Sequence, residues 1–266
     1  MRLPILAGAA AAATLFFAGC SSTPPGSDAA GIASRSAASP ADARPGLGTK
    51  YGETCQSRVR NVDFQRATPT RPLTLATVQY NDVEGARAMG WIGWNRGPVA
   101  LSDLADAGFQ DQNHKYLPLD TRSGLFAGKK YGLVGKAGGR YSILLTNQSD
   151  SRLEFVASVD GVDVIDGKPA SLNKSGYVVP PGQSVRIDGF RRSLNEVAAF
   201  RFSAVRESYA EKKYGDAANV GVIGIAVFAE AGTDPKPRLK EEAKRRKKAN
   251  PFPGERRGGF AEPPPR

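Results

Sequence analysis

The 266-residue chain is 40% hydrophobic and 24% charged, with a net charge of +11 and a pI of about 9.8. This composition excludes a chain that lacks a hydrophobic core, and the single histidine, His114, excludes metal sites built on a pair of histidines. Large apolar side chains are concentrated in residues 1–19 and 51–230. We therefore expect one folded domain over residues 51–230, a size that normally forms a single core.

The N-terminus has the features of an export signal. Arg2 supplies a positive charge, residues 3–17 are almost wholly apolar, and small residues follow. An apolar helix of about 17 residues is near the lower limit for crossing a bilayer. We therefore expect residues 1–19 to be a cleaved signal peptide.

The segment Phe17-Ala18-Gly19-Cys20 resembles the lipobox of bacterial lipoproteins, in which small residues precede an obligatory cysteine. The resemblance implies cleavage between Gly19 and Cys20 and a lipid on the Cys20 thiol. Under the sorting rule of enteric lipoproteins, Ser21 after the cysteine indicates the outer membrane, at its periplasmic face. An uncleaved membrane anchor and an ordinary secretory signal are the alternatives.

Residues 20–50 are rich in Ser, Ala, Pro and Gly, and their only sizeable aliphatic residues are Ile32 and Leu47. Such a segment buries too little surface to offset its ordering entropy, which predicts a disordered tether. Cys55 follows this tether. Because Cys20 is expected to carry lipid, we expect Cys55 to be unpaired, with a disulfide as the alternative.

The first part of the domain has a weaker pattern. Residues 73–80 (LTLATVQY) predict a strand, a short helix is expected within 81–90, and Ser102 is a candidate helix start. Trp91 and Trp94 favour hydrophobic packing, although a ligand-stacking platform is the alternative. We expect residues 81–130 to be irregular or partly helical.

The second part of the domain alternates between apolar and polar residues and predicts a series of short strands. These lie at 140–147, 153–159, 162–165, 177–179, 184–188, 197–205 and 220–228. Asp160-Gly161 between two apolar runs predicts a type I′ hairpin turn. Short strands separated by turn residues predict an all-β fold, an antiparallel β-sandwich.

Residues 140–230 resemble a β-sandwich domain found in many uncharacterised bacterial envelope proteins. The similarity rests on the runs SVDGVDVIDGKPAS, GYVVPPGQSVRIDGFRRS, VAAFRFSAV and NVGVIGIAVF. The resemblance implies the β-sandwich fold. It implies no particular activity and no functional residues.

The motifs of common active sites are weak. A Ser/His/Asp triad would depend on His114, which lies in a polar stretch without a nucleophile motif. Residues 132–139 (GLVGKAGG) have the wrong glycine spacing for a phosphate loop and predict a turn. The three aspartates spaced by three are expected to be turn residues, with a calcium site as the alternative; they are Asp160, Asp163 and Asp166.

We therefore predict no catalytic residue, metal site or cofactor. Several basic residues near predicted loops lack the aromatic pattern of a nucleic-acid interface, so no specific nucleic acid is predicted. These are Arg191, Arg192, Lys212 and Lys213.

Residues 231–266 carry 11 Lys and Arg against 5 Asp and Glu, a net +6, whereas residues 20–230 carry 25 against 21, a net +4. We expect a disordered, basic, Pro-rich tail with a short charged helix within 238–248. Its cations are predicted to contact an anionic lipid, lipopolysaccharide or polymer, and a merely solubilising tail is the alternative. They are Lys244, Arg245, Arg246, Lys247 and Lys248.

The order of anchor, tether, β module and cationic tail indicates a membrane-anchored envelope protein with a non-enzymatic binding or structural role, including contact with a protein partner. One alternative is an enzyme acting on envelope carbohydrate or peptide through Asp or Glu residues in 81–130. Another is an assembly component that docks by β-strand addition.

Overall fold

A computed structural model describes residues 44–91, 93–123 and 129–251. The predicted signal peptide, the cleavage site at Gly19, the lipidation site Cys20 and residues 252–266 of the tail lie outside the described residues. Expectations about those segments stay predictions.

Fifteen strands and three α-helices form the described part of the chain. The strands are β1 (Leu47–Gln56), β2 (Thr74–Asn81), β3 (Trp94–Arg96), β4 (Val99–Ala100), β5 (Ala105–Asp111), β6 (Pro118–Ser123), β7 (Lys129–Val134), β8 (Arg140–Asn147), β9 (Leu153–Val159), β10 (Val162–Asp163), β11 (Tyr177–Val179), β12 (Ser184–Ile187), β13 (Gly189–Arg191), β14 (Glu196–Ala204) and β15 (Val222–Ala229). The helices are α1 (Val83–Ala88), α2 (Tyr209–Tyr214) and α3 (Lys240–Lys247).

These strands form two sheets that pack into a sandwich, which confirms the all-β fold class. The first sheet has the order β1-β14-β8-β5-β4, with β12 paired to β8 and β13 paired to β14. The second has the order β10-β9-β15-β2-β7-β6-β3, with β11 paired to β9. Antiparallel pairs dominate, and β2 with β7 is parallel.

The core lies between the inner faces of the two sheets and follows the alternation that the sequence shows. Phe200 and Phe202 of β14 are fully buried, and the ring of Phe202 stacks on that of Tyr141 with centroids 4.3 Å apart. Burying an aromatic side chain of this kind contributes about 1.5–3 kcal/mol to stability.

The turn between β9 and β10 has the predicted conformation. Asp160 has φ +55° and Gly161 has φ +75°, and Val159 pairs directly with Val162. Two successive positive φ values define the type I′ turn, which matches the twist of the strands it joins.

The structure differs from the prediction of a helix starting at Ser102. The Ser102 hydroxyl accepts the Leu104 N–H in a local turn, and Ala105–Asp111 form β5, which pairs with β8 over seven residues. Pairing with a long neighbouring strand outweighs the weak local preference for a helix. The helix expected within 81–90 is confirmed as α1, where Asp82 accepts the Gly85 N–H at 2.7 Å.

The folded region is longer at both ends than predicted. β1 begins at Leu47, inside the segment predicted to be a tether, and pairs with β14. Beyond residue 230, the Arg238 N–H donates to the Gln148 carbonyl at 2.8 Å, and α3 matches the predicted charged helix. Hydrogen bonds to the sandwich hold these two segments in place, although the segments have little apolar surface of their own.

Trp91 packs against the outer face of the second sheet, as the favoured interpretation predicted. It is 3% exposed and clusters with Ala86 and Val134. It lies directly over Gly132, where an added Cβ would come within 2.4 Å of the indole ring. Trp94 is 38% exposed, and its indole N–H donates to the Trp91 carbonyl.

Candidate functional site

Four polar side chains meet in the interior between the two sheets, and we call them the buried polar cluster. They are Thr49 from β1, Tyr80 from β2, Tyr141 from β8 and Asp160 from the β9–β10 turn. Each is at most 3% exposed. Buried polar groups of this kind are costly unless every donor and acceptor is satisfied.

The Asp160 carboxylate accepts three hydrogen bonds from separate parts of the chain. One oxygen accepts the Thr49 N–H at 2.7 Å, and the other accepts the Gly221 N–H at 2.9 Å and the Tyr80 hydroxyl at 2.5 Å. The carboxylate thereby joins the first strand, the second strand and the chain entering β15.

The direction in which each hydroxyl of the cluster donates its proton follows from these contacts. An ionised Asp160 only accepts, so the single Tyr80 proton points to it and the Tyr80 oxygen must accept from Thr49, 2.9 Å away. The Thr49 oxygen is then free to accept from Tyr141, 2.7 Å away. The result is a chain of donors that all point towards the carboxylate.

Burial is the largest influence on the pKa values of Asp160 and the two tyrosines of the cluster. It raises the pKa of Asp160 to about 6, although the Tyr80 hydroxyl and the N–H groups of Thr49 and Gly221 favour the charged form. Burial, reinforced by the charge of Asp160, also raises the pKa of Tyr80 and of Tyr141 well above 10.

The buried polar cluster supplies a hydrogen-bond acceptor to strand β1, which lies at the edge of the first sheet. The Thr49 N–H points away from β14, and without Asp160 it would be a buried donor without a partner. Aspartate is one of the few residues that adopts the left-handed backbone of a type I′ turn with little strain. The hairpin turn therefore places a carboxylate beside the open edge of β1.

The three aspartates considered for calcium do not act together. Asp163 accepts the N–H groups of Ile165 and Asp166, and the Asp166 carboxylate pairs with Lys174 at 2.7 Å. Within the described residues no group of three or more His, Cys, Asp or Glu side chains is arranged to hold a metal ion. Asp160 and Asp166 lie in turns, as predicted, and Asp163 ends β10 and accepts hydrogen bonds from the turn that follows it. Asp160 also has a tertiary role that the sequence did not reveal.

Three of the four basic residues near predicted loops have side-chain contacts within the domain. The Arg191 guanidinium donates to the Ser57 carbonyl at 2.8 Å and to the Tyr177 hydroxyl at 3.1 Å. Lys213 donates to the Gly167 carbonyl at 2.9 Å. Arg192 contacts the hydroxyl of Thr54 in β1.

His114 and Cys55 lie apart from the buried polar cluster. His114 has φ +62° in the turn between β5 and β6, and its Nδ1 contacts the Arg186 guanidinium. Cys55 is half-buried near the end of β1. The other cysteine, Cys20, lies outside the described residues, so the unpaired state of Cys55 stays a prediction.

The alternative of an enzyme depends on carboxylates in residues 81–130. Several of these carboxylates accept hydrogen bonds from backbone N–H groups. Asp82 caps α1, and Asp111 accepts the N–H groups of Asn113 and Lys115. Asp120 is 2% exposed and accepts the Gly93 N–H at 3.0 Å. These contacts explain the three aspartates as turn, cap and loop residues.

The cations predicted to contact an anionic surface lie at the end of α3. Lys244–Lys247 form the last turn of this helix, Lys248 follows it, and all of them are exposed. Cations in the last turn are favourable next to the negative end of the helix dipole. Arg246 also pairs with Glu242 one turn earlier at 2.8 Å.

The raised pKa of Asp160 predicts a specific pH dependence of stability. A carboxyl whose pKa rises from 3.8 to about 6 on folding adds stability that is fully present below about pH 3.8 and is lost as the pH rises through about 6. The shift corresponds to roughly 3 kcal/mol. We expect the advantage of the wild type over Asp160→Asn in urea unfolding to shrink by up to about this amount between pH 4 and pH 7.

The comparison with Asp160→Asn cancels the titration of all other carboxyls, because both proteins share them. A gap between the two proteins that stays constant or widens as the pH rises would contradict the prediction.

No helix in the described ranges is long and apolar enough to cross a bilayer. Comparison with models of protein families, with curated proteins and with solved structures finds no match to this chain.

Proposed function

We propose that this chain is a lipid-anchored protein of the bacterial cell envelope with a non-enzymatic binding or structural role. Acyl chains on Cys20 hold it at the periplasmic face of the outer membrane, and its cationic C-terminal region contacts an anionic component of the envelope. The observation that carries the proposal is the lipobox-like segment ending in Cys20.

The anchor needs only the acyl chains. Each buried methylene contributes about 0.8 kcal/mol, and two or more chains give stable attachment to a bilayer. No protein helix in the membrane is then required once the signal peptide has been removed.

The start of the folded domain is compatible with such an attachment. Twenty-four residues separate Cys20 from Arg44, where the described structure begins, counting Cys20 itself. A chain of this length spans at most about 80 Å. The first strand after it, β1, pairs with β14 on both sides of an irregularity at residues 52–53 and is held at Thr49 by Asp160. A membrane tether would therefore join the domain at a firmly fixed strand.

The binding role rests on the charge distribution. The region after residue 230 has a net charge of +6, more than half of the +11 of the whole chain. Exposed cations concentrated in one segment attract anionic surfaces and polymers. β-strand addition stays a prediction, and the edge strand β3, whose three residues are all exposed, is one of the sheet edges that offers a site for it.

The Cys20→Ser variant tests the anchor. In cells fed labelled palmitate, the wild type is expected to incorporate the label and to sediment with membranes. Cys20→Ser should lose the label, because the thiol that carries the lipid is gone. The share of this variant in the soluble fraction should be at least tenfold higher than that of the wild type.

The matched control is Cys55→Ser, which removes the other cysteine and should keep both label and sedimentation. If Cys20→Ser remained in the membrane fraction, or if the wild type never took up label, the proposal would be wrong.

A further inference from the structure

The two ends of the described chain leave the sandwich at opposite ends of the strands. We call the end containing Arg44, the β9–β10 turn and Gly221 the anchor pole. The end containing the loop after β8, residues 148–150, together with residues 236–238, is the tail pole.

Contacts around Arg44 define the anchor pole. The Arg44 guanidinium donates to the carbonyls of Ala217 and Val220, the latter at 3.2 Å. The Gly221 N–H donates to Asp160 in the β9–β10 turn at 2.9 Å. The chain that arrives from Cys20 therefore enters at the start of β15 and the end of β9.

Backbone hydrogen bonds define the tail pole. The Asp150 N–H donates to the Lys236 carbonyl at 3.0 Å, and the Arg238 N–H donates to the Gln148 carbonyl at 2.8 Å. These bonds fix the chain just before α3 begins at Lys240.

The strands that connect the poles give their separation. β15 runs from Val222 at the anchor pole to Ala229 at the tail pole, and β9 runs antiparallel to it from Leu153 to Val159. Eight residues of strand cover about 24 Å. The cationic helix therefore begins on the far side of the domain from the point where the tether enters.

The chemistry of α3 also argues against insertion into a bilayer. A helix that lies in a membrane surface needs an apolar face that enters the headgroup region. The sequence of α3, KEEAKRRK, contains only Ala243 as an apolar residue. Its five successive cations, residues 244–248, point to all sides of the helix, which suits a flexible polyanion that can wrap around it.

From these two observations we propose that α3 binds an extended anionic polymer of the envelope rather than the bilayer that holds the lipid anchor. The proposal rests on the proposed function, because it takes Cys20 as the point of membrane attachment. The recognised chemistry is a repeating phosphate or carboxylate, contacted by residues 244–248.

Binding of labelled polyphosphate tests the partner. The full-length lipidated protein is placed in neutral phosphatidylcholine vesicles, and bound polyphosphate is measured after sedimentation. We expect binding that weakens steeply with added salt. Changing all five residues 244–248 to Gln should weaken it at least tenfold.

A matched variant removes five exposed charges from the sandwich instead. In this variant Gln replaces each of five exposed residues, namely Arg87, Lys115, Lys136, Arg206 and Lys212. It should weaken binding less than threefold, and an equal loss in both variants would overturn the proposal because net charge alone would then explain binding.

A second measurement locates α3 relative to the bilayer. Single cysteines replace exposed alanines at the two poles, Ala218→Cys and Ala243→Cys, in a Cys55→Ser background, and each carries a fluorescent label. The vesicles contain phosphatidylglycerol and lipids with spin-labelled headgroups. We expect at least threefold stronger quenching at Ala218 than at Ala243. Equal or stronger quenching at Ala243 would place the helix on the bilayer and overturn the proposal.

Failure of the anchor would be recognised separately. If palmitate labelling of Cys20 failed, the proposed function would fall. Polyphosphate binding by the full chain in solution would still decide whether α3 recognises a polyanion.

Discussion

Replacing Asp160 with glycine is expected to lower the free energy of unfolding by about 2–4 kcal/mol at pH 7. The change removes the acceptor of three buried donors, namely the N–H groups of Thr49 and Gly221 and the hydroxyl of Tyr80. Glycine tolerates the φ of +55° at this position, so backbone strain does not contribute. Urea unfolding followed by tryptophan fluorescence measures the loss.

Two further variants separate the causes. Asp160→Asn keeps one acceptor oxygen and should lose less than Asp160→Gly. Asp160→Ala should lose more, because a left-handed backbone costs alanine roughly 1 kcal/mol. The control is Asp166→Asn, which loses a partly exposed ion pair with Lys174 and should cost less than about 1 kcal/mol. Any other order of the three Asp160 variants would refute this account of the turn.

The Arg66→Ala variant is expected to lose about 3–5 kcal/mol, because it leaves a buried carboxylate without its counter-charge. The Arg66 guanidinium donates to Glu154 at 2.5 Å, and these side chains are 11% and 6% exposed. The guanidinium also lies 3.8 Å from the centre of the Phe228 ring and donates to the Leu172 carbonyl. It thereby fastens a long loop to the outer face of the second sheet. Urea unfolding gives the loss.

The chain offers a matched control in Arg152, which pairs with Glu230 but has a side chain that is 42% exposed. Arg152→Ala should cost at most about 1 kcal/mol, because solvent screens this pair. The double variant Arg66→Met with Glu154→Leu should recover part of the loss, since it removes both buried charges. Equal losses for Arg66→Ala and Arg152→Ala would show that burial of the pair has no effect.

Much of the second half of the fold could be predicted from short-range patterns. Alternating residues in 140–147 and 153–159 gave strands β8 and β9 with the same bounds, and Asp160-Gly161 gave the type I′ turn. These features depend on the side-chain period of a strand and on the φ values of two residues, so neighbours in the sequence are enough to specify them.

Features that depend on distant partners were missed. The segment around Ser102 became a strand because β8 pairs with it, and Leu47–Lys50 became part of β1 because β14 pairs with them. The contact between Thr49 and Asp160 joins residues 111 positions apart. No local pattern marks such a contact, although a tyrosine in each of two core strands gave a weak signal for buried hydroxyls.

The sequence by itself determined the all-β class, the turn at Asp160, the charged helix near the C-terminus and the hypothesis of a lipid on Cys20, because each depends on residues close together in the chain. Only the tertiary structure decided that Asp160 is a buried acceptor for three segments. It also decided that Arg44 and α3 lie at opposite poles, because strand direction and sheet order are set by pairing across the whole domain.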